Sequence, residues 1–290
     1  MTRADMPLPQ GAPGLSAVAV QRHTQGQCLP ADDWLIDEQP VALVFNGLSH
    51  VVMMATPCQL DELAVGFALA EGLIEGLHEL RDVEVEAAPD GLGHSVQLEV
   101  SPRAFEHLKT RRRQLEGRSG CGLCGIDSLQ AFRQAWPQAG QPGALQAASP
   151  QAAPLLNADA VQRALRALPD WQPLQARSGG CHAAAWCSPD GQVLLAREDV
   201  GRHNALDKLI GALALQRKGT RDGTRDGTRR EGFVLVSSRA SYELVSKCAR
   251  VSLPALAAVS APTALAVQLA CQSGVQLMAF CRPGSAVVYA

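Results

Sequence analysis

Phe233-Val234-Leu235-Val236, a helical periodicity over 241–251, Leu256-Ala257-Ala258-Val259, a second helical periodicity over 263–273, and an apolar run from Val275 to Phe280 follow one another without a break. Short continuous apolar runs are the mark of strands covered on both faces. Strands separated by helix-length segments return to one sheet by right-handed crossovers, so this order predicts a parallel α/β sheet. Upstream lie strand patterns over 181–187 and 193–196 and a helix over 204–215 with Leu206, Leu209 and Ile210 on one face. A further helix is expected over 158–168. The expected fold class is α/β, with this domain occupying 154–290.

Working toward the N-terminus, 119–153 reads as a Cys-x-x-Cys segment and a Pro/Gly/Gln/Ala-rich linker. Residues 31–118 read as a smaller α+β unit. Val41 to Phe45 and Val51 to Met54 flank Asn46-Gly47, a strong hairpin signal because both residues tolerate positive φ. A helix begins near Asp61, with Leu63, Phe67, Ala70 and Ile74 at helical spacing, and a second hairpin spans 83–100. A basic helix carrying Arg111, Arg112 and Arg113 covers 103–118. Residues 1–30, rich in Pro, Gly, Gln and Ala with no period, are expected to be a disordered tail. Arg221-Asp222-Gly223-Thr224 repeats at once as Arg225-Asp226-Gly227-Thr228 and is expected to be a surface-loop insertion.

The 290 residues are 47% hydrophobic and 19% charged, as in packed globular proteins, and the formal net charge of −2 gives no field for a nucleic-acid backbone or an anionic membrane. No nucleic-acid or membrane partner is therefore expected. No apolar leader follows Met1 to Asp5, and no run is long enough to span a bilayer. Nine cysteines, an odd number in a long chain, do not make a secreted disulfide scaffold. A cytoplasmic protein with reduced thiols is expected.

Three features carry chemistry. Gly120-Cys121-Gly122-Leu123-Cys124-Gly125 places two thiols close enough to share a metal, form a disulfide or pass sulfur between them. A following helix N-terminus and Arg113 and Arg118 would favour the nucleophilic thiolate. Structural zinc needs four ligands and there is no second Cys-x-x-Cys; the H-x-E of zinc deaminases is absent. The glycine spacing also fits a dinucleotide fingerprint, but no strand precedes it. Second, the three late strands run into segments containing Arg239, Ser260 with Thr263, and Phe280-Cys281-Arg282-Pro283-Gly284-Ser285. Ligands of open parallel sheets bind beyond these strand ends, where helix N-termini and arginines hold phosphate, although each segment alone reads as ordinary helix capping. Third, Glu198-Asp199-Val200-Gly201-Arg202-His203-Asn204 is a dense polar cluster after a strand, suited to orienting a ligand or moving a proton. Cys28, Cys58, Cys187, Cys248, Cys271 and Cys281 are read as packing residues.

Phe45-Asn46-Gly47, Ala55-Thr56-Pro57 with Leu63 to Phe67, Cys121 to Gly125, Ser178-Gly179-Gly180 with His182-Ala183-Ala184, Arg197 to Lys208, Arg239 to Leu244, Ser260 to Thr263, and Phe280-x-Arg282 occur in this order. The set resembles the FdhD/NarQ family of formate dehydrogenase accessory sulfurtransferases. The resemblance implies a C-terminal cytidine-deaminase-like three-layer α/β/α domain and a homodimer. It also implies a sulfur carrier. Cys121, with Cys124 as relay partner, would take persulfide sulfur from a cysteine desulfurase. That sulfur would go to the molybdenum bis(molybdopterin guanine dinucleotide) cofactor of formate dehydrogenase, a bound client, with no metal of the protein's own. Guanine dinucleotide contacts map to Phe280 through Ser285, in agreement with the strand-end reading, and Arg239, Ser260, Thr263 and His203 are the further cofactor-binding candidates from the segments above. Cys181, beside His182, departs from the family; an extra sulfur acceptor and a space-filling residue are the two readings, and the second is favoured. The alternative is a non-catalytic cofactor-binding chaperone whose Cys-x-x-Cys is a docking or zinc element.

Overall fold

The computed structural model describes residues 13–89, 91–116, 156–219 and 231–290. Two sheets organise them. The larger contains β7 (His182–Cys187), β8 (Val193–Asp199), β9 (Phe233–Val236), β10 (Ala255–Ala258), β11 (Gln276–Arg282) and β12 (Ser285–Val288), in the order β12-β11-β10-β9-β7-β8. β9, β10 and β11 are mutually parallel, as the apolar runs predict. β7 is antiparallel to both β8 and β9, and β12 folds back antiparallel on β11, so the sheet as a whole is mixed.

Both faces are covered because side chains alternate along each strand. Ala184 and Trp186 join Val234, Val236, Leu256 and Leu277 beneath three helices: α5 (Arg202–Gly219), α6 (Tyr242–Arg250) and α7 (Ala264–Ser273). Ala183, Ala185 and Cys187 face the other way, with Phe233, Leu235 and Met278, toward α3 (Ala158–Ala167).

The smaller sheet has the order β4-β3-β6-β5, from β3 (Gln39–Phe45), β4 (Leu48–Ala55), β5 (Leu80–Ala87) and β6 (His94–Val100). Asn46 and Gly47 turn β3 into β4 with φ of 45° and 80°, the conformation that an Asn-Gly pair adopts most cheaply. α1 (Leu60–Ala70) and α2 (Pro102–Glu116) pack on this sheet through Leu63, Ala64, Ala104 and Leu108. α1 also crosses α5 almost backbone to backbone. A Cβ on Gly66 would lie 1.8 Å from the Asp207 carbonyl oxygen, and one on Gly211 would lie 1.9 Å from that of Glu62. A bidentate Arg197–Glu62 ion pair fastens the same helix to β8.

Two expectations are corrected. Order begins well before residue 31: β1 (Leu15–Thr24) and β2 (Gln27–Ile36) form a ten-pair antiparallel ribbon. Its turn, Gln25-Gly26, has positive φ at both residues, and its small and polar side chains hid it from composition. The apolar run ending at Phe280 continues to Arg282 and reverses at once into β12, so 280–285 is a hairpin rather than a strand running out into a loop. The short helix α4 (Pro173–Ser178) was also not expected. Among the described residues no helix is long and apolar enough to cross a membrane.

Candidate functional site

β8, β9, β10 and β11 end on the same edge of the larger sheet, and β7 begins there. A ladder of main-chain hydrogen bonds draws the strand-end segments together. Ser260 N–H donates to the Ser238 carbonyl (3.3 Å), Thr263 N–H to that of Ala240 (3.0 Å), and Phe280 N–H to that of Ser260 (3.1 Å). Arg239, Ser260, Thr263, Phe280 and Arg282, separate in sequence, therefore share one rim.

Their roles differ. Thr263 caps α7 by accepting from Ala266 N–H (3.2 Å), the ordinary capping role. Phe280 holds φ of 50°, a conformation rare for an aromatic residue, at an irregularity in the β11–β12 pairing. Such strain persists only where surrounding structure enforces it, and it clusters at binding sites. The Arg282 guanidinium lies 5.7 Å over the Phe280 ring. Cys281 turns its thiol into the core beneath α3, fully buried and pushed up to about 11 by burial, so a ligand can meet it only through the main chain. Arg282, Pro283, Gly284 and Ser285 form the exposed turn. Gln162 of α3 holds that turn, donating to the carbonyls of Arg282 (2.8 Å) and Ser285 (3.1 Å) and accepting from Gly284 N–H (3.0 Å). A glutamine 120 residues upstream gives no sequence signal of this task.

The polar run 198–204 divides in two. Glu198 accepts from Leu174 and Gln175 N–H, both at 2.8 Å, and caps α4. Asp199 meets Lys208 Nζ at 2.6 Å with neither side chain exposed. It also accepts from Thr56 N–H (3.1 Å), Gly201 N–H (2.9 Å) and Asn204 (3.0 Å). Lys208 donates in turn to the Thr56 carbonyl (2.9 Å). These residues are scaffold, tying the segment after β4 to the end of β8.

Arg202 and His203 behave differently. His203 Nε2 lies 2.7 Å from Glu243 in the first turn of α6, and this contact holds the Glu243 carboxyl below its ordinary value against the effect of burial. His182, at the start of β7, is half-buried. Burial lowers its pKa first, and the neighbouring Arg202 and His203 lower it further. Arg202 Nε and Ser241 Oγ are buried with no hydrogen-bond partner among the described residues. Ser241 is the cap residue of α6, yet its hydroxyl makes no capping bond. Buried polar atoms are nearly always paired, so two open donors at the starts of two helices, Arg202 on α5 and Ser241 before α6, suit an anionic ligand. With Arg239 and Arg282 exposed on the same rim, the arrangement fits a phosphate-bearing ligand.

Cys121 and Cys124 lie outside the described residues, as do Arg118, the 119–153 segment and the repeat at 221–228. Of the other thiols, Cys181 is buried, 3.8 Å from Ser178 Oγ, and pushed up to about 11, foremost by burial. That protonated, enclosed thiol fits the reading that it fills space. Cys187 and Cys248 are pushed up to about 12 by burial. Cys28 and Cys271 are exposed, which corrects the packing reading for those two.

The sequence matches the model of the FdhD/NarQ family over residues 36–290. It is 49% identical over 277 residues to the sulfur carrier protein FdhD of Chromobacterium violaceum, covering 95% of each chain. It is 47% identical over 278 residues to that of Burkholderia cenocepacia, covering 95% of this chain and 94% of the relative. Its fold matches the crystal structure of a putative formate dehydrogenase accessory protein from Desulfotalea psychrophila, with a TM-score of 0.66 at 22% identity over 96% of this chain and 97% of that one. With the family model spanning nearly the whole chain and relatives at almost half identity from end to end, this chain belongs to the FdhD/NarQ family.

Proposed function

We propose that this protein is a sulfurtransferase of formate dehydrogenase maturation. It carries persulfide sulfur from a cysteine desulfurase to the molybdenum bis(molybdopterin guanine dinucleotide) cofactor. The observation that carries this reading is the near-complete match to FdhD sulfur carriers. Cys121 thiolate attacks the terminal sulfur of the desulfurase persulfide. The S–S bond breaks, the desulfurase thiolate leaves, and Cys121 holds the persulfide. Attack by Cys124 on the inner sulfur of that persulfide then releases HS⁻ and leaves a Cys121–Cys124 disulfide, the two thiols supplying both electrons.

The carboxyl edge of the larger sheet binds the guanine dinucleotide of the client cofactor. Arg202, Arg239 and Arg282 meet phosphate, Ser241 Oγ and the start of α6 supply neutral donors, and the Phe280–Ser285 hairpin closes one side. His203, held by Glu243, orients this rim. In this reading the C-terminal domain from 154 is cytidine-deaminase-like, 31–118 is the smaller unit, and 119–153 carries the thiols. The protein works as a cytoplasmic homodimer.

The test is incubation of the full-length protein with cysteine desulfurase and cysteine, followed by mass spectrometry of Cys121-containing peptides. One labile sulfur on Cys121, absent from C121A, is expected. C121A acquiring sulfur as the wild type does would refute the assignment.

A further inference from the structure

The hairpin from Phe280 to Ser285 departs from regular pairing at its base and at its tip. At the base, the register sets Phe280 and Cys281 opposite the single residue Ala286, a bulge, and Phe280 takes its positive φ there. At the tip, Arg282 pairs with Ser285 across a two-residue turn, Pro283-Gly284. Two-residue hairpins favour type I′ and II′ turns, whose twist matches the strands, and both need positive φ at the first central residue. Proline cannot take it. Gly284 holds φ of 78°, so the turn is of type II, a form that splays its strands. β12 is only four residues long and mostly exposed. The hairpin's own ladder therefore does not fix where Phe280 and Arg282 stand.

The fixing comes from α3. The Gln162 side-chain amide donates to the carbonyls of Arg282 and Ser285 and accepts from Gly284 N–H, so one side chain engages three main-chain groups of a four-residue turn. The opposite amide orientation would set an oxygen against two carbonyls, so donor and acceptor are assigned by chemistry. α3 is itself fastened on either side of Gln162. Asn157 caps it by accepting from Asp159 N–H (2.8 Å), and Arg163 Nε donates to the Asp190 carbonyl (2.7 Å). Ala160, Val161 and Ala164 are buried beneath it, and a Cβ on Gly191 would lie 2.1 Å from the Ala160 carbonyl oxygen. Gln162 thus acts from a fixed platform. What the hairpin then presents to the rim is Arg282, with its guanidinium over the Phe280 ring. A strained φ such as that of Phe280 persists only where the surroundings enforce it, and this clamp is such an enforcement.

We infer that Gln162 is a positioning residue for the client nucleotide. Its polar atoms are spent on the turn, and it acts through Arg282, holding the hairpin so that the guanidinium meets phosphate. The inference rests on the nucleotide-rim reading above and adds to it a residue with no ligand contact of its own.

Calorimetric titration of guanosine diphosphate into the full-length protein tests it, with thermal melts checking that each variant is folded. Q162M keeps the side-chain volume and removes all three hydrogen bonds, and is expected to weaken binding about fivefold. A double-mutant cycle separates positioning from a general loosening of the fold. On an R282A background Q162M should weaken binding by less than about twofold, because the residue it positions has lost its guanidinium, whereas on an R239A background, outside the hairpin, the whole effect should remain. Wild-type binding that Q162M leaves unchanged, or a loss of equal size on both backgrounds, would overturn the positioning role while sparing the site. No binding by the wild type would overturn the rim reading and this inference with it.

Discussion

Asp199 and Lys208 meet at 2.6 Å with no exposure, whereas His203 and Glu243 meet at 2.7 Å with the imidazole one-third and the carboxylate one-half open to solvent. Three of these four residues come from one stretch of ten. The first pair has every partner it needs from Thr56, Gly201 and Asn204. The second sits beside Arg202 Nε and Ser241 Oγ, which have none among the described residues. Burial alone does not separate scaffold from site here. Completed pairing does: a fully satisfied buried pair fixes the backbone, and the open donors beside it are the ones assigned to the proposed site.

The contrast can be broken from the scaffold side first. K208M removes one partner of a fully buried ion pair, and such changes cost about 3–5 kcal/mol because a charge is left uncompensated. Urea unfolding should show that loss in the midpoint with an unchanged slope. G66A acts on the same framework by thrusting a methyl group at the Asp207 carbonyl, which sits on α5 beside Lys208. Overpacking of this kind costs about 1–3 kcal/mol, read from the same transition. R202A, on the side of the proposed site, should move stability by no more than about 0.5 kcal/mol, since its buried Nε makes no hydrogen bond among the described residues.

The smallest expected effect is a pH dependence. Burial, followed by Arg202 and His203, lowers the folded-state pKa of His182 below its ordinary 6.5. Between the two values the unfolded chain binds the proton more readily, so stability is intact above 6.5 and falls as pH drops toward the folded value. Glu243 adds a similar loss in a separate window, below its ordinary 4.5, because its folded pKa is also lowered. Between about pH 7 and 5 the unfolding midpoint of the wild type should decline relative to that of H182Q, a comparison that cancels the opposite contribution of Asp207, whose carboxyl burial pushes up to about 6.

Much of the larger sheet was legible in the sequence. β9 to β11 are covered on both faces and so appear as unbroken apolar runs, and Asn46-Gly47 named its own turn. The ribbon was not legible, because both its faces are exposed and its strands carry Ala, Gln, Pro and Thr where a buried face would impose alternation. β12, four mostly exposed residues, failed for the same reason. The gathering of the strand-end segments on one edge was legible, since sheet topology alone brings them together. Dividing 198–204 between scaffold and site was not, because the deciding partners, Thr56 and Glu243, lie far away in sequence. Exposure of Cys28 and Cys271 was missed because neighbouring apolar residues say nothing about which way a single side chain points.

The central claim is that the carboxyl edge of the larger sheet takes the guanine-nucleotide end of the client cofactor. Calorimetric titration of guanosine diphosphate into the full-length wild type and into R202A/R282A tests it most directly. The account predicts saturable binding at one site per chain, weakened at least tenfold in the double variant while its unfolding midpoint stays unchanged. Equal affinity in both proteins, or no binding by the wild type, would contradict it.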